Sequence, residues 1–119
     1  MLALAARSEV DSTRIAAVGF HTNLATKAPA VGPGAIKARV LVCIGADDPF
    51  IPAYHRAAFE SEMRDAGADW QMNLYGYTVH AFSNPEAAKR SMPEVIRYSP
   101  EAEARAWASA FDLFANALK

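Results

Sequence analysis

The sequence predicts an α/β fold, a layer of about three parallel strands with flanking helices. Three observations carry this. Arg39-Val40-Leu41-Val42-Cys43-Ile44-Gly45 is a continuous apolar run, the signature of a strand buried on both faces, as strands of parallel sheets are. A helical pattern follows it directly, and then comes another strand pattern with a second helix behind it. Alternation of this kind builds right-handed crossover units whose helices cover the sheet.

The elements follow in order from period and punctuation. Met1 to Ser8 is an alanine-rich helix candidate, and Asp11-Ser12 offers a turn before Ile15 to Phe20, the first strand candidate. Lys27 to Lys37 holds Pro29, Gly32, Pro33 and Gly34, a density of breakers that no helix or central strand tolerates, so it is a loop. Arg39 to Ile44 is the second strand. Pro52 suits the first turn of a helix running to Ala66, with Phe59, Met63 and Ala66 at i, i+4 and i+7 and Gly67 just past its end. Trp70 to Tyr75 is the third strand. The segment from Pro100 to Leu118 puts Trp107, Ala110, Phe111, Phe114 and Leu118 on one helical stripe, which predicts that these aromatics are core.

Composition narrows the class. With 119 residues, 52% of them hydrophobic, the chain is read as a single domain over residues 1–119. Twelve Lys and Arg against 13 Asp and Glu leave no positive excess to neutralise phosphates, which argues against nucleic acid as a partner. The longest apolar stretch, Val40 to Ile44, is far short of the roughly 20 residues that cross a bilayer, and Met1 to Ala6 lacks the basic start of a secretory signal. No membrane contact is expected, and the chain is read as cytoplasmic. Cys43, alone of its kind, lies inside the buried run and is read as core. His21, His55 and His80 stand far apart in sequence, with no ligand spacing, so no metal is expected. No cofactor is expected either, since Gly32-Pro33-Gly34 lacks the Lys-Ser/Thr and the preceding strand of a phosphate loop, and Lys89-Arg90 is read as a solvated pair.

In an open parallel sheet the binding crevice lies beyond the carboxyl ends of the strands. Two segments sit there. Gly45-Ala46-Asp47-Asp48-Pro49-Phe50-Ile51-Pro52 leaves the second strand and puts a carboxylate at the rim, and Tyr75-Gly76-Tyr77-Thr78-Val79-His80-Ala81-Phe82 leaves the third and puts a histidine there. An Asp before Pro is commonly a turn residue and a lone His commonly a surface one; together they suggest a base and its orienter.

These segments, with Ala58 to Met63, Ala66 to Gln71, Asn84-Pro85 and Tyr98 to Trp107, resemble the dienelactone hydrolases of the α/β-hydrolase fold in order and spacing over roughly the last 100 residues. The resemblance implies a truncated α/β-hydrolase-like layer, the C-terminal half of the family fold, and hydrolysis of a small carboxylic ester or lactone. It assigns Asp48 the place of the triad acid, with Asp47 as competitor, and His80 that of the base. Phe50, Tyr77 and Phe82 form an aromatic rim suited to an apolar substrate.

The family's Cys or Ser nucleophile stands in a G-x-[CS]-x-G elbow. Here the candidate segment is Gly19-Phe20-His21-Thr22-Asn23, with His21 where the nucleophile should be and Asn23 in place of the second glycine. Ser83, Thr78, Ser12 and Thr22 are the hydroxyls that a replacement near His80 would draw on, and His80 acting on water directly is the alternative. Three readings stay open: a hydrolase working through Asp48 and His80, an inactive remnant that binds a small ligand or assembles with itself, and a half-enzyme that needs a second chain. A sheet of three strands also exposes an edge, which predicts a homo-oligomer paired through it.

Overall fold

The structure, a computed structural model, describes residues 16–24, 36 and 38–117. Three parallel strands form one sheet: β1 (Ala16–Phe20), β2 (Arg39–Gly45) and β3 (Asp69–Tyr75), in the order β1-β2-β3. Ala16 pairs with Arg39 and Arg39 with Asp69, so the three carboxyl ends finish at one rim. Helix α1 (Ala53–Asp65) connects β2 to β3, and α2 (Pro100–Ala117) follows β3. The expected α/β layer is the observed one. Met1 to Ser8, the Asp11-Ser12 turn and most of Lys27 to Lys37 lie outside the described residues.

The unbroken apolar run of β2 divides between two cores, because successive side chains of a strand point to opposite faces. Val40, Val42 and Ile44 pack with Phe59, Met63 and Ala66 at α1, joined by Leu24, Ile36 and Ile51. Leu41 and Cys43 pack on the other face with Ala102, Ala106 and Ala110 of α2 and with Phe82. Both faces are therefore apolar, and no polar position interrupts the strand. Burial pushes the Cys43 thiol above its ordinary range, as befits a packing residue.

Helix α1 follows its punctuation. Pro52 caps its start with an extended backbone, and Gly67, at φ 64°, follows its last turn. The Gly67 N–H donates to Arg64 (3.1 Å) and the Ala68 N–H to Met63 (3.1 Å), the two closing bonds of a Schellman motif.

Helix α2 departs from expectation. Its buried face is Ala102, Ala106, Ala110 and Ala117, whereas Trp107 is 44% exposed and Phe111 62% exposed; Phe114 is half-buried and Leu118 lies outside the described residues. The physical reason is volume. The sheet and the loop after β3 already supply Phe20, Tyr75 and Phe82 to this layer, so the helix approaches with its smallest side chains. Trp107 instead lies edge-on to Phe20 (4.9 Å) and stacks on Phe111 (5.5 Å). Among the described residues no helix is long and apolar enough to cross a membrane.

Candidate active site

The loops leaving β2 and β3 meet over a glycine. A Cβ on Gly45 would stand 2.3 Å from the Thr78 carbonyl oxygen, so the chain after β3 passes where any other side chain would be. Two backbone bonds join the loops there, from the Ala46 N–H to Tyr75 (2.8 Å) and from the Asp47 N–H to Thr78 (3.0 Å).

Asp48 is fixed by this loop. Its backbone N–H donates to Gly45 (3.2 Å), and its carbonyl accepts from the Ile51 N–H (3.2 Å). Its side chain is fully buried: Oδ1 accepts the Phe50 N–H at 2.9 Å, and Oδ2 lies 2.8 Å from His80 Nδ1. Asp47 is exposed and turned away, so the carboxylate joined to the histidine is that of Asp48. A carboxylate only accepts, so Nδ1 carries a proton, and in the neutral imidazole Nε2 is then the acceptor. The His80 backbone is held too, its N–H donating to Val95 (3.1 Å) and its carbonyl accepting from Arg97 (3.2 Å).

His21 is brought to the same place. It ends β1 with a left-handed backbone, φ 42°, and its ring lies edge-on to His80 at 5.2 Å. Burial above all, then the neighbouring His80, lowers its pKa from the ordinary 6.5, against an opposing pull from Asp48. Its Nε2 lies 2.8 Å from Ser83 Oγ. The sequence does not single out His21 as a site residue; the signal it carries is that His21 directly follows a strand, Ile15 to Phe20, whose end lies at the rim.

Of the aromatic rim, Phe50 is at the site, its ring 5.0 Å from His80 and 53% exposed. Phe82 is buried in the α2 core beneath His21, so it supports the site from below and meets no solvent. Tyr77 is 90% exposed and lies outside the cleft at His80. Its left-handed backbone (φ 56°) directs the chain away, and Arg97 holds its carbonyl at 2.7 Å. His55 stands apart on α1 against Tyr54.

An open cleft of about 510 Å³ adjoins His80, with Phe50, Asn23, Asn84 and Arg90 in its lining. Lys89 and Arg90 thus differ: Lys89 pairs with Glu86 on the surface, while Arg90 turns to the cleft. Among the described residues no group of three or more His, Cys, Asp or Glu is placed to hold a metal ion. The remaining hydroxyls are committed to backbone, Thr78 to Gly76 (3.0 Å) and Thr22 to Phe20 (3.4 Å), and Ser12 lies outside the described residues.

The chain is similar to known proteins over most of its length. It is 35% identical to a dienelactone hydrolase-like promiscuous phosphotriesterase from metagenomic libraries, covering 87% of this chain and 42% of that one with a TM-score of 0.76. It is 36% identical to m3DLH, covering 88% of this chain and 43% of the other at a TM-score of 0.79. A candidate dienelactone hydrolase from Klebsiella pneumoniae subsp. pneumoniae shares the fold at 23% identity, with a TM-score of 0.72 over 96% of this chain and 46% of that one. The chain therefore spans less than half the length of these structures. A search of curated proteins gave no match. The sequence profile of the dienelactone hydrolase family matches residues 1–118, and with the three-stranded parallel layer and its paired rim residues this establishes that the chain belongs to that family.

Proposed function

We propose that the chain carries the acid–base part of a carboxylic ester or lactone hydrolase site, with His80 as the general base and Asp48 as the group that orients it. The observation that supports this most is the 2.8 Å bond from His80 Nδ1 to a buried Asp48 carboxylate. Asp48 holds the ring in one tautomer and stabilises the imidazolium that forms when Nε2 takes a proton. That proton comes from water or from a hydroxyl set against the acyl carbon. Phe50 gives an apolar wall for the acyl or alcohol group, and Arg90, Asn84 and Asn23 offer polar contacts in the cleft. Hydrolysis of this kind consumes only water, so no cofactor is proposed.

The candidate elbow segment Gly19 to Asn23 holds His21, neither Cys nor Ser, at its centre, so we expect slow turnover by this chain. The test is saturable hydrolysis of a short-chain p-nitrophenyl ester at neutral pH by the purified chain and by its His80→Ala variant. Turnover by the parent that falls to background in the variant is the expected result. Equal background rates in both would end this reading in favour of a ligand-binding remnant or a half-enzyme.

A second reading concerns assembly. The outer side of β1 carries no strand among the described residues, and Trp107 and Phe111 present apolar surface on the neighbouring helix. We propose that two copies of the chain pair through this edge, which would cover both features at once.

A further inference from the structure

We propose that Ser83 and His21 form a hydroxyl–imidazole pair in which Ser83 Oγ is the nucleophile and His21 Nε2 its base, accepting the acyl group of simple carboxylic esters. This rests on the reading of the chain as an ester hydrolase and supplies the group that the elbow position lacks. Of the hydroxyls named at the rim, Ser83 is the one whose oxygen faces an imidazole, at 2.8 Å, while Thr78 and Thr22 bond to backbone carbonyls. That distance is within reach of direct proton transfer.

The pair is held from several sides. The His21 ring is wedged between His80 and Phe82, edge-on to each at 5.2 Å, and the His21 N–H donates to the Cys43 carbonyl at 2.9 Å. Ser83 lies three residues past His80 in a turn closed by the Asn84 N–H on Ala81 (3.0 Å), with Ala81 itself left-handed at φ 58°. Ser83 is half-buried and stands between Ala81 and Asn84 in sequence, both of which line the cleft at His80. Burial also keeps His21 neutral further into the acid range than a free imidazole, so it can accept the proton.

The reaction balances with water alone. Ser83 Oγ attacks the acyl carbon as its proton passes to His21 Nε2; the ester C–O bond then breaks, and the departing alkoxide takes that proton and leaves as the alcohol. Water attacks the acyl–Ser83 ester, giving one proton to His80 Nε2, so turnover still requires His80. Ser83 recovers that proton as the carboxylic acid departs.

The test is acetylation by p-nitrophenyl acetate, quenched early and read by intact mass and peptide mapping, on the parent chain and on Ser83→Ala, Ser83→Cys and His80→Ala. The expected results are an acetyl adduct on Ser83, turnover lowered about 100-fold or more in Ser83→Ala, and activity in Ser83→Cys that iodoacetamide abolishes. The parent should resist that reagent, because Cys43 is fully buried. Retention of activity by Ser83→Cys separates loss of a nucleophile from loss of fold. Hydrolysis that depends on His80 but is unchanged in Ser83→Ala, with no adduct on Ser83, would overturn this proposal and leave His80 as a base acting on water. Absence of hydrolysis in every protein would remove both.

Discussion

A Cβ on Gly45 would meet the Thr78 carbonyl at 2.3 Å, so the absence of one side chain lets the histidine loop cross the end of β2. Gly45→Ala should therefore lower the unfolding free energy by about 1–3 kcal/mol and disturb the His80–Asp48 bond, seen as a lower urea midpoint together with reduced ester hydrolysis. His21 gives a pH dependence. Its folded pKa lies below the ordinary 6.5, so between the two values the unfolded chain binds more protons and stability rises with pH. The urea midpoint should thus hold above pH 6.5 and fall as the pH drops below it, with a shallower fall in His21→Asn. The meeting of Asp48 and His80 was legible because each follows a strand end, where an open parallel sheet builds its crevice. His21 was not, because its meaning depends on the pairing of β1 with β2 and on Ser83, 62 residues away.

The elements differ in how plainly the sequence declares them. Helix α1 has a proline at its start, a glycine after its end and one apolar stripe, and its boundaries follow those signals within a residue. Strand β2 reads as buried because two helices need it on opposite faces. Helix α2 misleads, since periodicity weights large aromatics and the sheet selects alanines. Replacement at the true contact should show the difference. Ala110→Leu should cost about 1–3 kcal/mol by overpacking, whereas Phe111→Leu should change stability by no more than about 0.5 kcal/mol, both measured by urea unfolding. Equal effects would contradict the assignment of the buried face.

At the scale of the whole molecule, the chain aligns with 42% to 46% of the length of similar dienelactone hydrolase-like structures. Parallel pairing was legible from the alternation of elements, but the exposed face beside β1 was not, because the sequence stripe assigned Trp107 and Phe111 to the core. If that face joins two copies, sedimentation should give a dimer for the parent chain and a monomer for the Trp107→Lys, Phe111→Lys pair; a monomeric parent would contradict it. The proposed action of Asp48 through His80 is read out by a double-mutant cycle in kcat/KM for a p-nitrophenyl ester with Asp48→Asn, His80→Ala and both together. Asp48→Asn should lower the parent rate by about 100-fold or more, and the double variant should be no slower than His80→Ala alone; losses that multiply, or a rate that neither substitution changes, would rule that action out.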